Sequence, residues 1–258
     1  MISPLLAIII AGSFIAAAGG ALGAFALLRR MTLVGDAMAH IALPGIALAL
    51  LWNINPFFGG LFFLVAGALF IWIAERKTNI GVETIVGVVF SMALGLGALL
   101  TPEHELLEAL FGDLTQLSLF DAVFASVVSL LLIVTLLVLS KKLTLTLISQ
   151  EISRSVGLNP ALLELLYLLI FAVTVALGIK FTGLLLMGAL IIMPAAIARN
   201  LATSMRSYLA VSVCAGVLGA IVSILISLRY AVSPGPVFAL LLGSVFFLSI
   251  TARRQKRA

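Results

Sequence analysis

An all-α, polytopic integral membrane protein is the fold class that the sequence predicts, on three observations. The 258-residue chain is 63% hydrophobic and 10% charged, with a mean hydropathy of +1.31, whereas soluble domains carry about a quarter charged residues. Its apolar runs approach or exceed the ~20 residues needed to cross a bilayer. Its basic residues sit singly or in pairs between those runs, which sets membrane orientation rather than forming a nucleic-acid patch.

Charges and Pro/Gly punctuation divide the chain into nine candidate spans, so about eight to nine transmembrane helices are expected. Leu5–Leu28 ends at Arg29-Arg30, and Thr32–Trp52 ends at the polar Asn53. Phe57–Ala74 follows Pro56 and stops at Glu75-Arg76-Lys77. Val82–Leu100 precedes the polar stretch from Thr101. Leu119–Leu139 runs to Lys141-Lys142, and Pro160–Gly178 to Lys180. Phe181–Ala198 ends at Arg199, Tyr208–Leu228 at Arg229, and Pro234–Thr251 at the basic tail. No soluble domain fits between them, so residues 1–258 read as a single integral transmembrane domain. The apolar start lacks a preceding basic region and reads as a first span rather than a cleaved leader. Cys214, the lone cysteine, lies in an apolar run and reads as a packing residue.

With the C-terminal Arg253-Arg254-Gln255-Lys256-Arg257 cytoplasmic, alternation over nine spans leaves the N-terminus outside. Of the 15 basic residues, only Lys180 and Arg229 then fall on the outer side, the asymmetry that the positive-inside rule demands. Two spans read as discontinuous, at Leu43-Pro44-Gly45 and at Met193-Pro194, because proline removes a backbone donor. Broken helices at membrane depth are tolerated where they line a cavity or are buried in protein.

Asp36 and His40 carry the clearest chemistry. Ionisable groups inside a span are costly and usually functional, and a spacing of four puts both on one helix face. They either hydrogen-bond each other or a nearby carbonyl, or form an oxygen/nitrogen half-site for a transition metal. Two ligands do not close such a site. A two-fold dimer would supply the pair twice, which predicts a site near the axis of a subunit interface. Counting from Arg29 puts Asp36 about one turn inside the membrane. A deeper site would need Arg29 and Arg30 to lie deeper too, or the first helix to end differently.

The run Gly35-Asp36-Ala37-x-x-His40, followed by Leu43-Pro44-Gly45, closely resembles the signature of metal-ion ABC importer permeases, the group serving zinc, manganese and iron uptake. Further segments resemble that family in order. They are Leu110-Phe111-Gly112-Asp113-Leu114, the loop Glu151-Ile152-Ser153-Arg154-Ser155-Val156-Gly157, Met193-Pro194-Ala195-Ala196-Ile197-Ala198-Arg199, and Ser233-Pro234-Gly235-Pro236. Ile41 and Ser153 stand where alanine is commoner.

The resemblance implies a type II ABC importer permease. Its partners would be an ABC ATPase subunit, an extracellular or periplasmic metal-binding protein and a second permease copy, in the cytoplasmic (inner) membrane of a prokaryote. Asp36 and His40 become transient ligands of the transported metal, zinc in the first instance and otherwise manganese or iron. No permanently bound cofactor is implied. The segment near 149–159, with Glu151, Arg154 and Gly157, becomes the element that seats in the ATPase. No Gly-x-x-x-x-Gly-Lys-[Ser/Thr] loop occurs, so ATP hydrolysis is expected in a separate polypeptide. The acidic stretch with Glu103, His104 and Glu105 reads as a solvated outer loop, or as weak metal ligands at a pore mouth. His104-Glu105-x-x-Glu108 lacks the second histidine of a zinc-protease helix. The rival expectation is a secondary metal-ion or proton-coupled carrier using Asp36 as a relay.

Overall fold

The computed structural model describes residues 4–29, 31, 34–78, 80–100 and 118–255. The described elements are all helical: α1 Pro4–Leu28, α2 Val34–Ile41, α3 Leu43–Leu51, α4 Pro56–Lys77, α5 Val82–Leu100, α6 Leu119–Ile148, α7 Gln150–Ser155, α8 Pro160–Thr182, α9 Met187–Leu201, α10 Met205–Tyr230 and α11 Pro234–Gln255. Among the described residues, 8 segments are long and apolar enough to cross a membrane, with α2 and α3 together forming one of them.

The remaining expected span, Phe181–Ala198, is different. Helix α8 continues through Phe181 and Thr182 and ends where Gly183 takes a φ of 75°, a conformation that glycine adopts without steric penalty. The chain then restarts as α9, whose 15 residues rise only about 22 Å against a hydrocarbon core of about 30 Å. Pro194 does not break this helix. It sits inside α9, buried against the α10 face at Gly216, so the expected second discontinuity lies at Gly183–Leu186 instead. The first break is where the sequence put it: Ala42 separates α2 from α3, and Pro44 occupies the first turn of α3, where its missing N–H costs nothing. Helix α6 runs past Lys141 and Lys142 to Ile148, so those two residues belong to a helix end rather than a loop.

The core is built around α1, the most enveloped long helix along with α8. Its small residues make this close packing possible. A β-carbon on Gly23 would collide with the Ile191 carbonyl of α9, and one on Gly20 would lie 2.7 Å from the Ser212 carbonyl of α10. Backbones that approach this closely give membrane helices their van der Waals attraction. Ser212 Oγ adds a 2.6 Å hydrogen bond to the Gly20 carbonyl.

Contacts fix the helix directions. Gly12 of α1 faces Ile224, late in α10, while Gly20 faces Ser212, early in it, so α1 and α10 are antiparallel. Gly19 and Gly23 meet Leu190 and Ile191 in ascending order, so α9 runs parallel to α1. Asn200 Nδ2 donates to Ser249 Oγ at 2.9 Å, which joins the ends of α9 and α11. Short as it is, α9 therefore completes the alternation expected from nine segments.

Candidate functional site

Helix α2 presents two faces. Met38, Ala39 and Ile41 are buried in the core, whereas Asp36 is exposed and His40 half-buried. The spacing of four aligns the two ionisable groups, as expected. No ion pair joins them; the described ion pairs are Arg29–Glu75, Arg29–Glu164 and Lys180–Asp121. His40 Nδ1 is buried and has no hydrogen-bond partner among the described residues. The imidazole instead packs edge-on to Phe90 of α5, ring centroids 5.3 Å apart and planes at 72°.

Neighbouring helices hold the pair in place. A β-carbon on Gly188, in the first turn of α9, would lie 3.2 Å from Asp36 Cβ and 3.3 Å from its Oδ1. The glycine thus leaves the space that the carboxylate uses. One on Gly35 would sit 3.4 Å from Ile191 Cδ1 and 3.7 Å from Phe171 Cζ. Pro44 lacks an N–H, so the usual helical hydrogen bond to the His40 carbonyl cannot form.

These neighbours also fix the depth. Phe171 lies near the middle of the 23-residue α8, Phe90 midway along the 19-residue α5, and α9 begins level with the middle third of α1. Asp36 and His40 therefore sit near mid-helix depth, not one turn from the end. Arg29 is not a solvated loop cation: its side chain is only 10% exposed and is paired with Glu75 and Glu164. Glu164, its partner, is two turns of α8 from Phe171, a rise of about 10 Å.

Among the described residues no group of three or more His, Cys, Asp or Glu side chains is placed to hold a metal. One copy of the chain offers two such groups at this position, which is half of a tetrahedral site.

The segment 149–159 forms α7 with its flanking turns. Ser149 caps the helix by accepting from Ile152 N at 3.3 Å, and Ser153 is buried, its hydroxyl 2.8 Å from Thr146 Oγ1 of α6. Gly157 has a φ of 78°, which turns the chain toward α8. Glu151, Ile152, Arg154, Ser155, Val156 and Gly157 are all exposed. Glu103, His104 and Glu105, and the Leu110–Leu114 segment, lie outside the described residues.

A family model described as the ABC 3 transport family matches residues 1–253. The chain belongs to this family. It is 28% identical over 240 residues to the high-affinity zinc uptake system membrane protein ZnuB of Haemophilus influenzae, covering 91% of this chain and 92% of that protein. It is 27% identical over 234 residues to the manganese transport system membrane protein MntC of Listeria innocua, covering 89% and 84%. The solved structure of PsaBC from Streptococcus pneumoniae in complex with Fab superposes with a TM-score of 0.84 at 25% identity, covering 96% of this chain and 91% of that one.

The chain is therefore a multi-pass metal-ion ABC permease with the type II importer architecture. ATP hydrolysis resides in a separate subunit, and an importer of this family works with an ATPase and a substrate-binding protein.

Sequence reasoning found the pair and its helix break but missed its supports. Gly188 is one of 22 glycines and Phe90 one of 16 phenylalanines, so neither carries a local signal. The cluster around Arg29 was missed as well, although Glu164 interrupts an otherwise apolar helix and such a charge is itself a signal.

Proposed function

We propose that this chain is the permease subunit of an ATP-driven importer that passes a divalent transition metal inward along the interface of two copies. Zinc is the first candidate, with manganese or iron(II) as alternatives for the same oxygen/nitrogen donor set. The observation that carries this reading is the exposed Asp36 carboxylate at mid-helix depth. Facing lipid, such a group is costly. Facing a second copy across a two-fold axis, it joins His40 and their two counterparts in a four-ligand set. The surface beside it suits such a partner: Gly87, Ser91 and Gly95 on α5 are exposed, and a β-carbon at Gly87 or Gly95 meets nothing within 4 Å. Coordination has to be weak enough for release, as in any conduction pathway.

The whole chain acts as one transmembrane permease domain with no permanently bound cofactor. The end that gathers Arg29, Arg76, Arg154 and Arg199 is cytoplasmic, which puts the N-terminus outside and the C-terminus inside. The exposed face of α7, with Glu151, Arg154 and the turn at Gly157, seats in the ATPase. Its exposed apolar side chains Ile152 and Val156, 52% and 59% accessible, suit burial in a partner groove. At the outer mouth, Glu103, His104 and Glu105 concentrate cations arriving from the binding protein.

The test is zinc uptake by vesicles containing the permease, its ATPase and its binding protein. Asp36→Asn and His40→Ala are each expected to abolish uptake while the complex still assembles and hydrolyses ATP. Wild-type uptake by both variants would sink the ligand assignment. Uptake that persists without ATP but follows a proton gradient would favour the secondary carrier.

A further inference from the structure

Helices α1, α4, α7 and α8 meet in one polar cluster whose charged members are buried. Arg29, at the end of α1, donates through Nη2 to Glu75 Oε1 of α4 at 2.8 Å and to Glu164 Oε1 of α8 at 3.1 Å. Gln150, the first residue of α7, donates through Nε2 to the same Glu164 oxygen at 2.6 Å. The three charged side chains are only 10%, 21% and 7% exposed. A single carboxylate oxygen thus ties the coupling segment to the helix that precedes the Asp36 motif.

The cluster is also incompletely satisfied. Arg29 Nη1, Glu75 Oε2 and the Tyr167 hydroxyl are buried without a hydrogen-bond partner among the described residues. Tyr167 lies three residues beyond Glu164, on the same face of α8. A purely structural staple would be expected to use up such groups. Spare donors and acceptors around one guanidinium are what a second arrangement of the same side chains requires.

We propose that Gln150, Glu164 and Arg29 are positioning residues of the transport cycle. They form a relay, enclosed at Arg29 and Glu164 and exposed at Gln150, that passes displacement of α7 to the end of α1, and through α1 to the Asp36–His40 site. The mechanical path is continuous. Glu151, Ile152 and Arg154, next to Gln150, are exposed to a partner. Helix α1 meets α9 at Gly23 against Ile191, and α9 meets Asp36 at Gly188. Coupling of this kind needs an element with two discrete arrangements that both sites bias, and the Glu164 junction is that element.

The proposal rests on the importer reading, and its test separates the two. Zinc uptake and ATP hydrolysis are measured together in vesicles containing the complete complex, with wild type, Gln150→Ala, Glu164→Gln and Asp36→Asn. Gln150→Ala removes one neutral donor at a helix start and is the variant least able to disturb folding. Both relay variants are expected to co-purify with the ATPase and to hydrolyse ATP at the wild-type rate or faster. The zinc transported per ATP is expected to fall at least about five-fold. An unchanged ratio in both, or a parallel fall of uptake and hydrolysis, overturns the relay. If that happens while Asp36→Asn still abolishes uptake, the importer reading survives. A wild-type complex that moves no zinc overturns both.

Discussion

Two groups of ionisable residues lie about 10 Å apart in depth, and they are built on opposite terms. At mid-depth, Asp36 is exposed, His40 Nδ1 has no partner among the described residues and no ion pair joins the two. Nearer the helix ends, Arg29 and Glu164 are nearly enclosed and share short contacts with each other, Glu75 and Gln150. A charge already committed to partners in its own chain contributes to fold and linkage. One that is exposed and held by packing alone remains available to something that arrives later. Burial therefore separates the two roles here better than residue type does.

The contrast breaks most visibly at Arg29. Arg29→Ala leaves two carboxylates in a cluster built around one cation, and removing one partner of a buried ion pair costs about 3–5 kcal/mol. Thermal unfolding of the purified permease in micelles is expected to show that loss. Asp36→Asn is expected to change the same measurement by no more than about 0.5 kcal/mol, since the side chain is exposed and forms no ion pair among the described residues. Equal destabilisation by the two substitutions would erase the distinction.

Next in size is Gly188→Val. Its branched side chain would occupy the space within 3.3 Å of the Asp36 carboxylate, so zinc uptake is expected to fall sharply while ATPase assembly persists. Unaltered uptake would show that the glycine does not position the carboxylate. Trp72→Phe removes the 2.9 Å hydrogen bond from Nε1 to the Ala161 carbonyl, beside the Arg29 cluster. About 1 kcal/mol of stability is expected to go with it, read from the same unfolding curves. The smallest effect is expected at the opposite end of the bundle. Lys180 and Asp121 lie 3.2 Å apart but are 37% and 31% exposed. Exposed ion pairs contribute little, so Lys180→Ala is expected to cost less than about 0.5 kcal/mol.

Much of this was legible in the sequence, for identifiable reasons. Apolar run length gave the spans because the bilayer sets a minimum. Basic residues at run ends indicated alternation because they avoid crossing. Asp36, His40 and Pro44 stood out because each is costly in a membrane helix. Run length was less informative around Gly183, where the chain stays apolar although the helix stops. The α8–α9 boundary depends on one backbone torsion rather than on polarity. Pro194 misled in the other direction, since a proline inside a packed helix can be accommodated without ending it. Arg29 read as a loop cation because its partners are 46 and 135 residues away, and no local pattern announces contacts at that range.

The sequence by itself determined that this chain is helical, crosses a membrane repeatedly and carries an aspartate and a histidine on one face of a broken span. Each of those features follows from local composition or from spacing within a single helix. Only the tertiary structure decided how deep that pair sits, which of its polar atoms stay unspent, and that Glu164 of α8 joins Gln150 of α7 to Arg29 at the end of α1. Those are relations between helices, set where small residues let backbones close up and where distant side chains meet. A one-dimensional pattern does not encode them.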